Sequence, residues 1–174
     1  MKLNKRLSTM VFCALLAAMT MIFKRFAVVN VDWFRISLEN TPVLLSGILF
    51  GPVAGFFTGV IGDILGCFIC GFGINPVITL GMGLVGGLCG LLFGSIPKFP
   101  MPLRLALSVY AGHIVGNMLV KSLGIYWWYA TPWPTLALRI PTYFIIGAAE
   151  IVIFCILLKS PAFLREIRKI GGKG

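Results

Sequence analysis

Arg139, Tyr143 and Glu150 lie in one long apolar run, and spacings of four and seven residues return them to the same stripe of a helix. An ionisable group in hydrocarbon costs about 2.5–3.5 kcal/mol on insertion scales, so each needs a partner or a ligand. Arg139 falls near one end of the run and Glu150 roughly 16 Å deeper, too far apart to pair with each other. Arg139 and Tyr143 are therefore candidates to line a pocket. Glu150 is expected in an ion pair or hydrogen bond to a neighbouring helix. A second run repeats the pattern with His113 and Asn117 four apart, either as satisfied core groups or as ligand contacts, and Lys121 one turn on, expected to snorkel to the interface. Asp63 is expected to hydrogen-bond to an adjacent helix, while helix-end electrostatics or binding accounts for Glu39 and Asn40.

Rings gather near these groups. Tyr126-Trp127-Trp128-Tyr129 and Trp133 form one aromatic segment, and Trp33-Phe34 beside Arg35 form another. An interfacial belt explains part of this. The remainder, with cations and amides on the same rim, suits a flat, polar, anionic heterocycle: rings stack it, an arginine takes its carboxylate, and amides read its edge. Catalytic chemistry has less support. There is no HExxH, no cluster of aspartates, and no nucleophile beside the single histidine, so neither a metal site nor an enzyme is expected. Cys67 and Cys70 form a CxxC with no second pair, and all five cysteines sit inside apolar runs, where they read as small apolar residues.

The elements that must carry these residues are membrane spans. Of 174 residues 59% are hydrophobic and 11% charged, too few charges to clothe a soluble globule. The net charge of +10 is spread over chain ends and the gaps between apolar runs, which points to lipid headgroups and not to nucleic acid. Runs of about 17–25 apolar residues mark spans. Six are expected, at 7–23, 42–50, 53–69, 76–93, 103–123 and 135–158, in a single domain covering 1–174. Thr41-Pro42 and Asn75-Pro76 supply helix starts, and Gly51-Pro52 a break. Residues 27–37, with β-branched and aromatic residues around Asn30 and Asp32, predict a structured outer loop or short hairpin, and 124–134 an aromatic loop. Both termini are placed in the cytoplasm. That arrangement puts Lys2, Lys5, Arg6, Lys98, Arg104, Lys159, Arg165, Arg168, Lys169 and Lys173 inside, against Lys24, Arg25, Arg35, Lys121 and Arg139 outside. Glycines four apart (Gly55/Gly59, Gly62/Gly66, Gly83/Gly87, Gly90/Gly94, Gly112/Gly116) predict close helix packing.

The run RISLENTPVLLSGILFGPVAGFFTGVIGDILG, from Arg35 to Gly66, within six short-looped spans resembles the S component of energy-coupling factor vitamin transporters, most closely the folate-specific members. The resemblance implies a six-helix all-α membrane bundle in the cell membrane. It also implies a vitamin pocket near the outer face, closed by the first loop and lined by helices 4, 5 and 6. It further implies an Ala-x-x-x-Ala motif, here Ala14 and Ala18, that packs on a transmembrane coupling subunit served by two cytoplasmic ATPases. The chain has no GxxxxGK[ST] phosphate loop of its own, in keeping with that division of labour. Folate is the expected ligand, its pterin stacked by Trp33, Trp128 and Tyr129 and hydrogen-bonded by Asn75 and Asn117, its carboxylates taken by Arg35 and Arg139, and no cofactor is implied. The alternatives are another vitamin (thiamine, riboflavin or biotin), a membrane enzyme, or an assembly subunit without ligand.

Overall fold

The computed structural model describes the backbone of residues 5–26, 28–31 and 34–170; within these, the side chains of 5, 28–31, 34–36, 166 and 168–170 are not described. Helix α1 (Lys5–Phe26) leads into an antiparallel hairpin, β1 (Val28–Val31) and β2 (Phe34–Ser37), with Asn30 opposite Arg35. Then follow α2 (Asn40–Phe50), α3 (Pro52–Cys70) and α4 (Pro76–Ser95). The next span is continuous from Met101 to Tyr129: α5 (Met101–Gly112), a π-helical segment (His113–Val120) and α6 (Lys121–Tyr129). A short α7 (Trp133–Ala137) precedes α8 (Arg139–Lys159) and a terminal α9 (Pro161–Ile170). Among the described residues, five helical stretches are long and apolar enough to cross a membrane, and the 11-residue α2 is apolar but shorter. With apolar side chains such as Val53, Phe57, Ile61, Leu65 and Phe68 exposed along one stripe of α3, this is the surface of a multi-pass membrane protein.

Local chemistry accounts for the breaks. Asn75 accepts from the backbone N–H of Val77 (3.0 Å) and Ile78 (3.3 Å), and Pro76 follows at a position that needs no N–H, so α4 starts there as expected. Gly51 (φ 96°) and Gly71 (φ 71°) end α2 and α3 in backbone conformations that suit glycine. Helix α2 begins at Asn40, a little before Pro42, and the capping role expected of Thr41 is corrected: Thr41 lies within the helix, its hydroxyl directed across to Glu150. The aromatic segment is also corrected, because helix continues through Tyr129 and only 130–132 form the connection. The segment after Lys159 is a helix whose Ile167 is buried against the bundle.

Packing follows the glycines. A Cβ on Gly55 would run into the Gly86 carbonyl, one on Gly59 into Met82, and one on Gly112 or Gly116 into the α4 backbone at Val85 or Gly81. In lipid, where no hydrophobic drive pulls helices together, such backbone-to-backbone approach provides the dispersion contacts that hold them. Gly94 has open space around it and takes no part. The core has two layers. Leu44, Leu49, Val85, Phe93, Leu105, Phe154 and Leu158 fill the half nearer the termini. The half beneath the hairpin buries the charged side chains Lys24, Asp63 and Lys121 beside apolar ones such as Met82 and Leu136.

Candidate functional site

A cavity of about 460 Å³ opens at the hairpin end of the bundle, within the ~300–1,000 Å³ of small-molecule sites. The last turn of α1 brings Lys24 to it, the β2–α2 junction Ser37 and Glu39, and the second half of α3 Asp63 and Cys67. The start of α4 contributes Asn75, α6 Lys121 and Tyr129, and the first turns of α8 Arg139, Thr142 and Tyr143.

The wall is charged, and most charges are matched. Asp63 is buried at the centre of α3, where a lone carboxylate would be costly. Its Oδ1 lies 2.6 Å from Lys24 Nζ and its Oδ2 accepts from the Thr79 hydroxyl at 2.7 Å. Lys24 also reaches Cys67 Sγ at 3.3 Å. Lys121 sits 3.6 Å from Glu39 Oε1 and 3.1 Å from Met82 Sδ. Arg139 differs. Its Nη2 donates to the Asn117 carbonyl (3.2 Å) and the Tyr143 hydroxyl (3.3 Å), both neutral. Its Nε is buried with no hydrogen-bond partner, and no carboxylate lies within ion-pair distance among the described residues. Among the described residues the cavity lining holds three cations against two carboxylates, and Arg139 is the cation with no carboxylate beside it.

Of the residues proposed from sequence, Asn75, Tyr129, Arg139 and Tyr143 line the cavity. The Asn75 amide is already engaged, capping α4 through its oxygen and donating to the Gly124 carbonyl at 3.3 Å. His113 and Asn117 are fully buried and do not reach the cavity; they lie behind Tyr143, whose ring stacks on His113 at 5.3 Å. Trp128 is 62% exposed and also stays out of it. Trp33 lies outside the described residues, and of Arg35 only the backbone in β2 is described. Ala14 is exposed and Ala18 half-buried on α1, remote from the cavity lining, whereas Ala17 between them is buried.

Two expectations need correction. Lys121 does not snorkel: it is 4% exposed and turned inward, because Glu39 and Met82 offer it partners across the cavity. The lining is also not confined to the later helices, since α1 and α3 supply Lys24 and Asp63. Sequence reasoning treated these two separately. The available signal was that a carboxylate in the middle of a span needs a cation, and Lys24 ends the preceding full-length span on the same side of the bundle. Glu150 behaves as expected, 2.6 Å from His113 Nε2 and accepting from Thr41 at 2.9 Å.

A family model described as ECF-type riboflavin transporter, S component, matches residues 4–162. The folate transporter FolT of Clostridium novyi (strain NT) is 31% identical over 65 residues, which span 37% of this chain and 38% of that protein. The fold is shared with a crystal structure of FolT bound with folic acid (TM-score 0.68, 21% identity, 83% of this chain and 88% of that one). It is shared equally with the S component for biotin from an ECF-type ABC transporter (TM-score 0.69, 17% identity, 92% and 95%). A match over residues 4–162, joined to this membrane bundle and its cavity, places the chain in the ECF-type riboflavin transporter S component family, a family of transporter components and not of enzymes.

Proposed function

We propose that this chain is the folate-binding subunit of an ATP-driven vitamin importer, taking its ligand into the cavity beneath the hairpin. The observation that carries the choice of ligand is Arg139, a cation on the cavity wall whose hydrogen bonds go only to neutral oxygens and whose Nε is unpartnered. A carboxylate would complete it, and folate carries two beside a flat pterin. Riboflavin is uncharged and thiamine cationic, so neither uses the surplus charge; biotin has a carboxylate but no aromatic ring. Tyr129 and Tyr143 are the proposed stacking rings, and Trp33 and Arg35 stay candidates from the sequence.

The proposal includes six crossings, with α2 as the short one, and both termini in the cytoplasm, so that the cavity opens outward. Support comes from the ten-to-five division of basic residues and from α1, which runs from its start at Lys5 to the hairpin at its far end, with α9 packed on it. Reporter fusions at Gly174 and near Lys98 should read cytoplasmic and one near Tyr126 external; an external Gly174 ends this orientation.

Titration of the purified protein with folate, riboflavin, thiamine and biotin tests the ligand. Folate should bind, and Arg139→Ala should weaken it by about 10–150-fold, the equivalent of a charge-assisted hydrogen bond of about 1.5–3 kcal/mol. Tight riboflavin binding with none for folate would remove the folate assignment.

A further inference from the structure

Behind the cavity wall, four residues close a circuit. The Asn117 amide nitrogen donates to His113 Nδ1 at 2.8 Å. The face of the His113 ring carries the Tyr143 ring, 5.3 Å away and 29° from parallel. The Tyr143 hydroxyl accepts from Arg139 at 3.3 Å, and Arg139 donates again to the Asn117 carbonyl at 3.2 Å. Two members, Arg139 and Tyr143, line the cavity; the other two are fully buried. The circuit is anchored from outside itself. Glu150, fully buried on α8, holds His113 Nε2 at 2.6 Å through one carboxylate oxygen, and its other oxygen accepts from Thr41 on α2 at 2.9 Å.

We infer that Glu150 and His113 are positioning residues for the ligand site: they fix the Tyr143 ring and the Arg139 guanidinium from behind, without touching the ligand. This rests on the reading of Arg139 as the ligand's carboxylate partner. A buried imidazole bonded at both nitrogens cannot turn, so its face is a fixed platform for Tyr143. The Asn117 carbonyl lies in the π-helical segment His113–Val120, where the ladder is widened and backbone groups are placed off the α register. Such segments concentrate at functional sites, and here one carbonyl of the segment serves as acceptor for Arg139. Helix packing alone would be met by apolar side chains at His113 and Glu150, and at lower cost in the bilayer. Thr41 adds a consequence: it stands two residues after Glu39, itself on the cavity wall, so the same carboxylate ties the hairpin junction to α8.

The test is a double-mutant cycle on vitamin affinity. Glu150→Gln keeps the shape and loses the charge that orders His113. It is expected to weaken folate binding on the order of tenfold, and in an Arg139→Ala background to add clearly less than that, because one of the two groups it positions is gone. Pterin, which lacks the carboxylates, should keep only the part of the loss that passes through the Tyr143 ring, and so lose less than folate. Thr41→Val is the milder second variant and should show the same coupling if Glu150→Gln fails to fold. Losses that simply multiply in the double variant, or equal losses for pterin and folate, would overturn the positioning role and leave the folate reading intact. If wild type binds another of the four vitamins, the folate assignment falls and the cycle is decided on that vitamin. Binding of none would remove both.

Discussion

Asp63→Ala is expected to destabilise the protein by about 3–5 kcal/mol, the cost of removing one partner from a buried ion pair. Its carboxylate lies 2.6 Å from Lys24 Nζ and 2.7 Å from the Thr79 hydroxyl, and both charged groups are almost fully buried. Loss of the carboxylate removes the closest counter-charge to an ammonium held between α1 and α3. The surroundings offer little relief, because Gly66 of α3 packs directly on the Lys24 stem and keeps it in place. Replacing both charges, as Lys24→Met with Asp63→Leu, should recover part of the loss, since the buried ammonium no longer has to be held without its closest counter-charge. Thermal unfolding in detergent, without added vitamin, checks this; a ligand bound to the folded state would raise the midpoint by mass action and mask the difference. A single variant as stable as wild type, or a double variant no better than the single, would show that this pair is not what joins α1 to α3.

The second large effect is on transport. With Ala14→Trp and Ala18→Trp together, vitamin uptake by cells should fall to the level of cells lacking the protein, while the isolated chain binds its ligand unchanged. The proposed contact with a transmembrane coupling subunit needs small side chains so that backbones can approach, and two indoles would hold the helices apart. Ala14 is exposed on α1, Ala18 half-exposed, and neither lines the cavity, so binding and assembly are separable on this surface. The buried Ala17 is the internal contrast: it faces the bundle, and a bulky substitution there should harm folding first. Unchanged uptake with the double variant would place the partner surface elsewhere.

Much of the fold is legible because the free energy of entering hydrocarbon is read residue by residue. Long apolar runs, glycines four apart, Asn75-Pro76 at a helix start and the β-branched segment before Ser37 each state their outcome locally, and five of the six expected spans as helices of crossing length, the close α3–α4 packing, the α4 cap and the hairpin follow. The stripe of Arg139 and Tyr143 was likewise readable from spacing alone, and both line the cavity. Partnership was not readable. Lys121 is as consistent with a snorkelling lysine as with a buried one until Glu39 and Met82 are seen to stand opposite it. Thr41 looks like a helix cap until α8 brings Glu150 within 2.9 Å. His113 and Asn117 lie on a polar face in the sequence, yet that face turns to Glu150 and Tyr143 and not to the cavity. The π-helical segment leaves no mark in composition, since it adds no residue type and changes only the hydrogen-bond register. The sequence by itself thus determined which segments are long and apolar enough to cross a membrane and how closely they can pack. The tertiary structure decided which charge meets which, because a charge in the bilayer takes its partner from whichever helix lies at the same depth, and neighbourhood and depth are properties of the assembled bundle.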